Sequence, residues 1–239
     1  MNIEYPIQSA ICTPWDTPDK LLSLLLDPLV ALDSDSISDT AGTVTEWANN
    51  AGGAGTGGTS YDLDSVGGAP LIELQQGHRV VRFDGINDYL RPVAEIVISQ
   101  PFTVLAVAKN DDVTTAFRFL FNSRNNFNSI NASVSSVSTF RLSGGSNIDV
   151  TARDGDVNAH MGVVNGASSS YTVFNTVEGT DTGNLTNPLR YITLASDRVG
   201  SSIWDGWIGS FIIYGRVLSA QEISQATNAE KDKWVLGSN

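Results

Sequence analysis

Two short segments hold the densest hard-oxygen chemistry of the 239-residue chain. LDSDSISD supplies Asp33, Asp35 and Asp39, and FDGINDY supplies Asp84, Asn87 and Asp88. Clustered carboxylate and amide oxygens are the ligands that Ca2+ takes. No cofactor is expected to be required, and Ca2+ is the candidate ion. The first segment lacks the glycine of a helix-loop-helix calcium site, and Asp and Asn are equally the ordinary residues of turns.

Catalytic constellations are sparser. Asp62 and Asp64 stand at strand period but in a glycine-rich stretch without a third carboxylate, and they read as turn and surface residues. His78 and His160, the two histidines, fall in different turn regions with no second ligand at zinc-site spacing. No Gly-x-Ser-x-Gly elbow is present to expose a nucleophilic serine. GAGTGG, from Gly53 to Gly58, has the letters of a dinucleotide fingerprint. That motif works only between a strand and a helix whose amides face the pyrophosphate, and here it leads into Thr-Ser-Tyr-Asp, so it reads as a surface loop. Sugar binding calls for an exposed aromatic ring beside polar side chains. Trp47, Trp204, Trp207 and Trp234 fall at core positions, which leaves Trp15 and Tyr61 in loop-like sequence.

Short strands must position these residues. Runs of Val, Ile, Phe and Tyr are separated by turn signals such as Gly144-Gly145, Asp154-Gly155, Asn165-Gly166 and Asp205-Gly206, and no βαβ rhythm is present. Phe117, Phe119 and Phe121 form one period-2 set. Ile148, Val150 and Ala152 form another, with Asp149, Thr151 and Arg153 facing the other way. Trp207, Gly209, Phe211 and Ile213 alternate with Ile208, Ser210, Ile212 and Tyr214, so this strand is apolar on both faces and central, as is Thr103 to Ala108. Ser219-Ala220-Gln221-Glu222 is a capping box that predicts a helix from about Ala220 to about Trp234, burying Ile223, Ala226 and Trp234. Residues 1–25 read as an N-terminal arm interrupted by Pro6, Pro14 and Pro18, with a short helix over Pro18 to Leu26. Residues 26–239 read as one domain.

Charge narrows the partners. With 26 acidic residues against 14 Lys and Arg, a net charge of −12 removes the footprint of a nucleic-acid binder. The run LLSLLLDPLVAL is broken by Asp27 and Pro28 and lacks a basic leader, so neither a signal peptide nor a membrane span is expected. The lone Cys12 cannot form an internal disulfide, which suits synthesis in a reducing cytoplasm.

Three blocks, in order, resemble the laminin G-like domains of the concanavalin A-like lectin and glucanase superfamily. VTEWANNAGG from Val44 is similar to an early strand with a buried tryptophan, Trp47, and PLVALDSDS from Pro28 to the strand and aspartate-rich loop before it. VVRFDGINDYLRP from Val80 resembles a strand, a tight turn at Asp84-Gly85 and a return strand; PFTVLAVAK from Pro101 resembles the long central strand. WDGWIGSFIIYGRVLSAQEI from Trp204 is similar to the closing signature and is the most specific of the three.

The resemblance implies an all-β jelly-roll sandwich of two antiparallel sheets, roughly six or seven strands each, with a short C-terminal helix. It also places a calcium ion at the rim in related domains. Glycosidases of the superfamily carry Glu-x-Asp-x-x-Glu on one strand, a spacing absent here, so a non-enzymatic role is expected. A laminin G-like domain beginning at Met1 with a proline-rich arm looks like a bacteriophage virion component, a capsid decoration or tail-associated protein. It would sit on the virion surface against capsid or tail proteins, as a homotrimer or around a symmetry axis. The alternative is a carbohydrate-binding module or adhesin that holds a glycan in loops at one end of the sandwich, with or without calcium.

Overall fold

The computed structural model describes residues 28–51, 61–92, 94–95, 97–112, 114, 117–123, 131–136, 139–151, 155–174, 179–197 and 199–234. The N-terminal arm with Cys12, Trp15 and the expected first helix, the GAGTGG loop, and Ala152 to Asp154 lie outside the described residues.

The chain forms strands β1 (Val30–Leu32), β2 (Ile37–Thr40), β3 (Thr43–Trp47), β4 (Leu63–Gly67), β5 (Leu71–Gln75), β6 (His78–Asp84) and β7 (Asp88–Arg91). It continues through β8 (Val97–Ile98), β9 (Phe102–Asn110), β10 (Arg118–Ser123), β11 (Asn131–Ser136), β12 (Thr139–Ser143) and β13 (Asn147–Thr151). The last strands are β14 (Val157–Val164), β15 (Gly166–Phe174), β16 (Gly179–Leu185), β17 (Leu189–Arg190), β18 (Ile192–Leu194) and β19 (Asp205–Tyr214), followed by helix α1 (Ala220–Lys233).

Every described pairing is antiparallel. One layer runs β5-β6-β19-β9-β14-β15-β16, with β1 beside β19. The other runs β2-β3-β4-β7-β18-β10-β11-β12-β13. Between them lies one core, to which the first layer gives Phe83, Phe102, Val104, Tyr171 and Phe211 and the second gives Trp47, Leu90, Phe121, Phe140 and Leu194. Alternation explains this: each strand sends every second side chain inward. The protein is an all-β antiparallel sandwich with a short C-terminal helix.

The central strands of the first layer, β19, β9 and β14, are buried on both faces because α1 covers their back. Leu105, Met161, Ile212 and Tyr214 pack there with Leu218 and Ala226, and Val80, Val107 and Trp207 pack with Trp234. The helix starts on the expected capping box: the Glu222 amide donates to Ser219 Oγ at 3.3 Å and the Ser219 amide to Glu222 Oε2 at 2.8 Å. It is not long and apolar enough to cross a membrane, nor is any other described helix.

Two β-bulges change which face residues take. In β19 the register slips between Ile208 and Ser210, so Gly209 is an extra residue. Trp207, Ser210, Ile212 and Tyr214 therefore face the helix, while Ile208, Phe211 and Ile213 face the core, in place of the simple alternation expected. In β10 a slip between Phe119 and Phe121 splits the expected phenylalanine face. Phe121 points into the core, Phe119 points outward beside Ser133, and Phe117 precedes the strand, 54% exposed.

Tyr61 does not lie in an open loop; it is buried in the main core. His160 is not a turn residue either. It sits mid-strand in β14, fully buried, with Nδ1 2.8 Å from Tyr171 Oη and its ring edge-on to Phe140.

Candidate functional site

The outward face of the second layer gathers polar and aromatic side chains that are far apart in sequence. Direct neighbours in strand register are Glu46 and Asp64, then Asp64 and Arg91. Leu90 pairs with Leu194, which sets Arg91 beside Thr193, and Thr193 pairs with Asn122. The row resumes at Asn131 with Ser143 and Asn147, the last two 2.8 Å apart. Eight strands about 4.8 Å apart carry this row on the order of 30 Å across the sheet.

A second row lies alongside, with Val66 opposite Tyr89 and the run Phe119, Ser133, Arg141 and Asp149. Arg141 and Asp149 form a two-point ion pair at 2.6 and 2.8 Å. The Arg141 hydrogen bond holds the Asp149 carboxyl below the ordinary range.

The floor is deep. Thr193, Ser133 and Asn122 face out of the sandwich, yet only 2%, 4% and 9% of their surfaces are exposed. The Thr193 hydroxyl has no hydrogen-bond partner. A buried polar atom normally finds one; on this outward face a water or a ligand group would supply it, while Tyr214 Oη and Thr227 Oγ1 on the helix side lack partners too. Tyr89 and Phe119, both half-buried, flank this floor. The Tyr89 ring lies between Gly67 and Gly200, where an added Cβ would come within 2.6 and 3.2 Å of the ring, so side chains at either position would displace it. The Arg91 guanidinium lies 5.8 Å from the Tyr89 ring centre. Aromatic faces for the apolar side of a ring, with amide and hydroxyl groups between them, make a surface suited to polyhydroxylated ligands.

Arg91, Asn122 and Thr193 are not recognisable as site residues in the sequence. The visible signal was Tyr89 and Arg91 at strand period around the core residue Leu90; nothing local announces Thr193 or Asn122.

The calcium candidates separate into two places. Leu32, just before Asp33, pairs with Phe211, whereas Asp84 pairs with Asp205, roughly 20 Å further along β19. Asp33 caps a single 3-10 turn, its Oδ1 accepting the Asp35 amide at 2.9 Å, and Asp35 is exposed. Asp39 pairs with Arg79 at 2.6 Å. In the β6–β7 turn, Asp84 Oδ1 accepts the amides of Ile86 and Asn87, while Asp88 accepts those of Ala69 and Asp84, one on each oxygen. Burial pushes the Asp84 carboxyl up, but its backbone amide bonds outweigh that and leave it lowered. Burial raises Asp88, with the Asp84 charge adding and the backbone amides opposing. Asp33 Oδ1, Asp84 Oδ1 and both Asp88 oxygens are thereby occupied in shaping turns. Among the described residues, no three His, Cys, Asp or Glu side chains form a metal-holding group.

Asp62 accepts the Asn49 amide at 2.8 Å, a loop tie. Asp64, however, gains Glu46 as a cross-strand carboxylate neighbour that sequence spacing does not show.

Solved structures with the same fold include glycan-related proteins. Trypanosoma rangeli sialidase in complex with sialic acid superposes with a TM-score of 0.61 at 12% identity, over 90% of this chain and 37% of that one. A GH54 α-L-arabinofuranosidase gives 0.63 at 9% identity, over 93% and 66%. The receptor-binding domain of botulinum neurotoxin mosaic serotype C/D gives 0.57 at 10% identity, over 85% and 51%. The chain thus spans between about a third and two thirds of the length of these structures. At such identities the likeness defines a class of fold, the antiparallel β-sandwich, and nothing narrower. No family model matches the sequence, and no curated protein matches it.

Proposed function

We propose that this domain is a non-catalytic carbohydrate-binding module whose ligand lies across the outward face of the second layer. The carrying observation is the floor between Tyr89 and Phe119, where the buried, outward-facing Thr193 hydroxyl lacks a partner. Glycan-related proteins among those that share the fold are consistent with this reading. It moves the expected glycan site from the end loops to the sheet face. A glycan array probed with the full chain tests it: specific binding that Phe119→Ala or Tyr89→Ala weakens about tenfold or more, with the fold intact, is the expected result. Binding unaffected by both substitutions would refute it.

One observation favours a second reading. Glu46 and Asp64 stand side by side at one end of the row, and directly opposed strand residues have Cβ atoms about 5 Å apart, which lets two carboxyl groups reach the roughly 5–5.5 Å of a glycoside-cleaving pair. New reducing ends released from a bound oligosaccharide, and lost in Glu46→Gln, would convert the module into a hydrolase.

From the sequence blocks at Val44, Val80 and Trp204 we also propose a laminin G-like domain in a virion setting, with capsid or tail partners and a homotrimer. Co-sedimentation of the protein with particles would support the virion setting; a free monomer in a cell that makes none would oppose it.

A further inference from the structure

We propose that the ligand carries a carboxylate on a sugar ring and that Arg91 receives it, an inference that rests on reading the outward face as a glycan site. Arg91 and Asp64 stand directly opposite each other on adjacent strands, as Arg141 and Asp149 do. The second pair closes into a two-point ion pair. The first does not: the Arg91 guanidinium turns over the Tyr89 ring and holds no carboxylate among the described residues. Arg79, Arg82, Arg118 and Arg216 each hold one; the exposed Arg190, which lies over no aromatic ring among the described residues, is the other described arginine outside these ion pairs.

A planar guanidinium fixed against an aromatic face presents a donor fork that matches a carboxylate at two points, with little freedom left to lose on binding. The next position in register is the Thr193 hydroxyl, buried and without a partner, which can donate to the same carboxylate or to a neighbouring ring oxygen. Beyond it Asn122 offers a neutral contact for hydroxyls. On the opposite flank Asp64 and Glu46 repel an anion, which leaves the Tyr89 and Thr193 side for its approach. The net charge of −12 opposes a polyanion, so the fitting ligand has a carboxylate among neutral hydroxyls. Uronic acids and sialic acids share that chemistry.

The test measures affinity of the full chain for matched uronate-containing, sialylated and carboxyl-reduced oligosaccharides. The expected result is that one carboxylated arm binds about tenfold more tightly than its reduced counterpart, and that Arg91→Gln abolishes this preference. The arm preferred identifies the source of the carboxylate. Equal or tighter binding of the reduced sugar, or a preference that survives Arg91→Gln, overturns the carboxylate assignment and leaves the glycan reading standing. Binding to none of the arms, nor to any glycan on the array, overturns both.

Discussion

Trp234 packs directly on Gly209: a Cβ at position 209 would stand 2.3 Å from the indole Cζ2. The bulge that makes Gly209 the extra residue of β19 also opens the place where the helix end docks. Gly209→Ala must push the indole or the strand aside, an overpacking cost of about 1–3 kcal/mol. Urea unfolding followed by tryptophan fluorescence checks this. An unchanged midpoint would mean that the ring relocates freely.

Glu230 anchors the same junction from the helix. Its Oε2 accepts from Ser210 Oγ and from Trp234 Nε1, each at 3.0 Å, in a buried setting. Glu230→Ala leaves two buried donors unsatisfied and should cost about 2–4 kcal/mol. Glu230→Gln keeps an acceptor oxygen and should cost distinctly less. Equal losses for both variants would assign the effect to charge instead of hydrogen bonding.

Acid stability should report on His160. Burial pushes its imidazole down to about 3, whereas in the unfolded chain it titrates near ~6.5. Between those values the unfolded state takes up a proton that the folded state refuses, so stability falls as pH falls. The loss from pH 6.5 to pH 5 should be about 1.5 kcal/mol. Glu222, held down to about 2 chiefly by Arg216, adds its loss only at lower pH, through the ordinary carboxylate range. The double variant His160→Phe, Tyr171→Phe removes both buried polar groups together and should flatten the profile above pH 5. Denaturation midpoints across this range decide the matter.

Calcium should have little effect on stability. Asp84 and Asp88 already accept backbone amides, and Asp33 caps its own turn. Thermal unfolding with excess Ca2+ and with chelator is expected to coincide. A calcium-dependent rise lost in Asp84→Asn and Asn87→Ala would instead make the β6–β7 turn a metal site.

How far the sequence reveals this molecule follows from what is local. The capping box at Ser219 and Glu222, the turn at Asp84-Gly85 and the alternation of Ile148 and Val150 with Asp149 are set by near neighbours, and each is found in place. The two bulges are not local. Whether Phe119 faces in or out depends on how Ser133 and Ala132 meet it across β11, and Gly209 is the extra residue only because Val107 pairs with Ser210. The candidate site was hidden for the same reason. Arg91, Thr193 and Asn122 come from three strands, and only register brings them side by side. Its one local sign, Tyr89 and Arg91 alternating around Leu90, is shared by any strand with a polar face.

Backbone amide NMR of the labelled full chain, titrated with an oligosaccharide that it retains, locates the bound sugar on the molecule. Shifts are expected to concentrate at Arg91, Asn122 and Thr193 and at Tyr89 and Phe119 beside them. Shifts confined to the loop positions Ile86 and Val199, or to the outer face of α1, would contradict a glycan site on the sheet face.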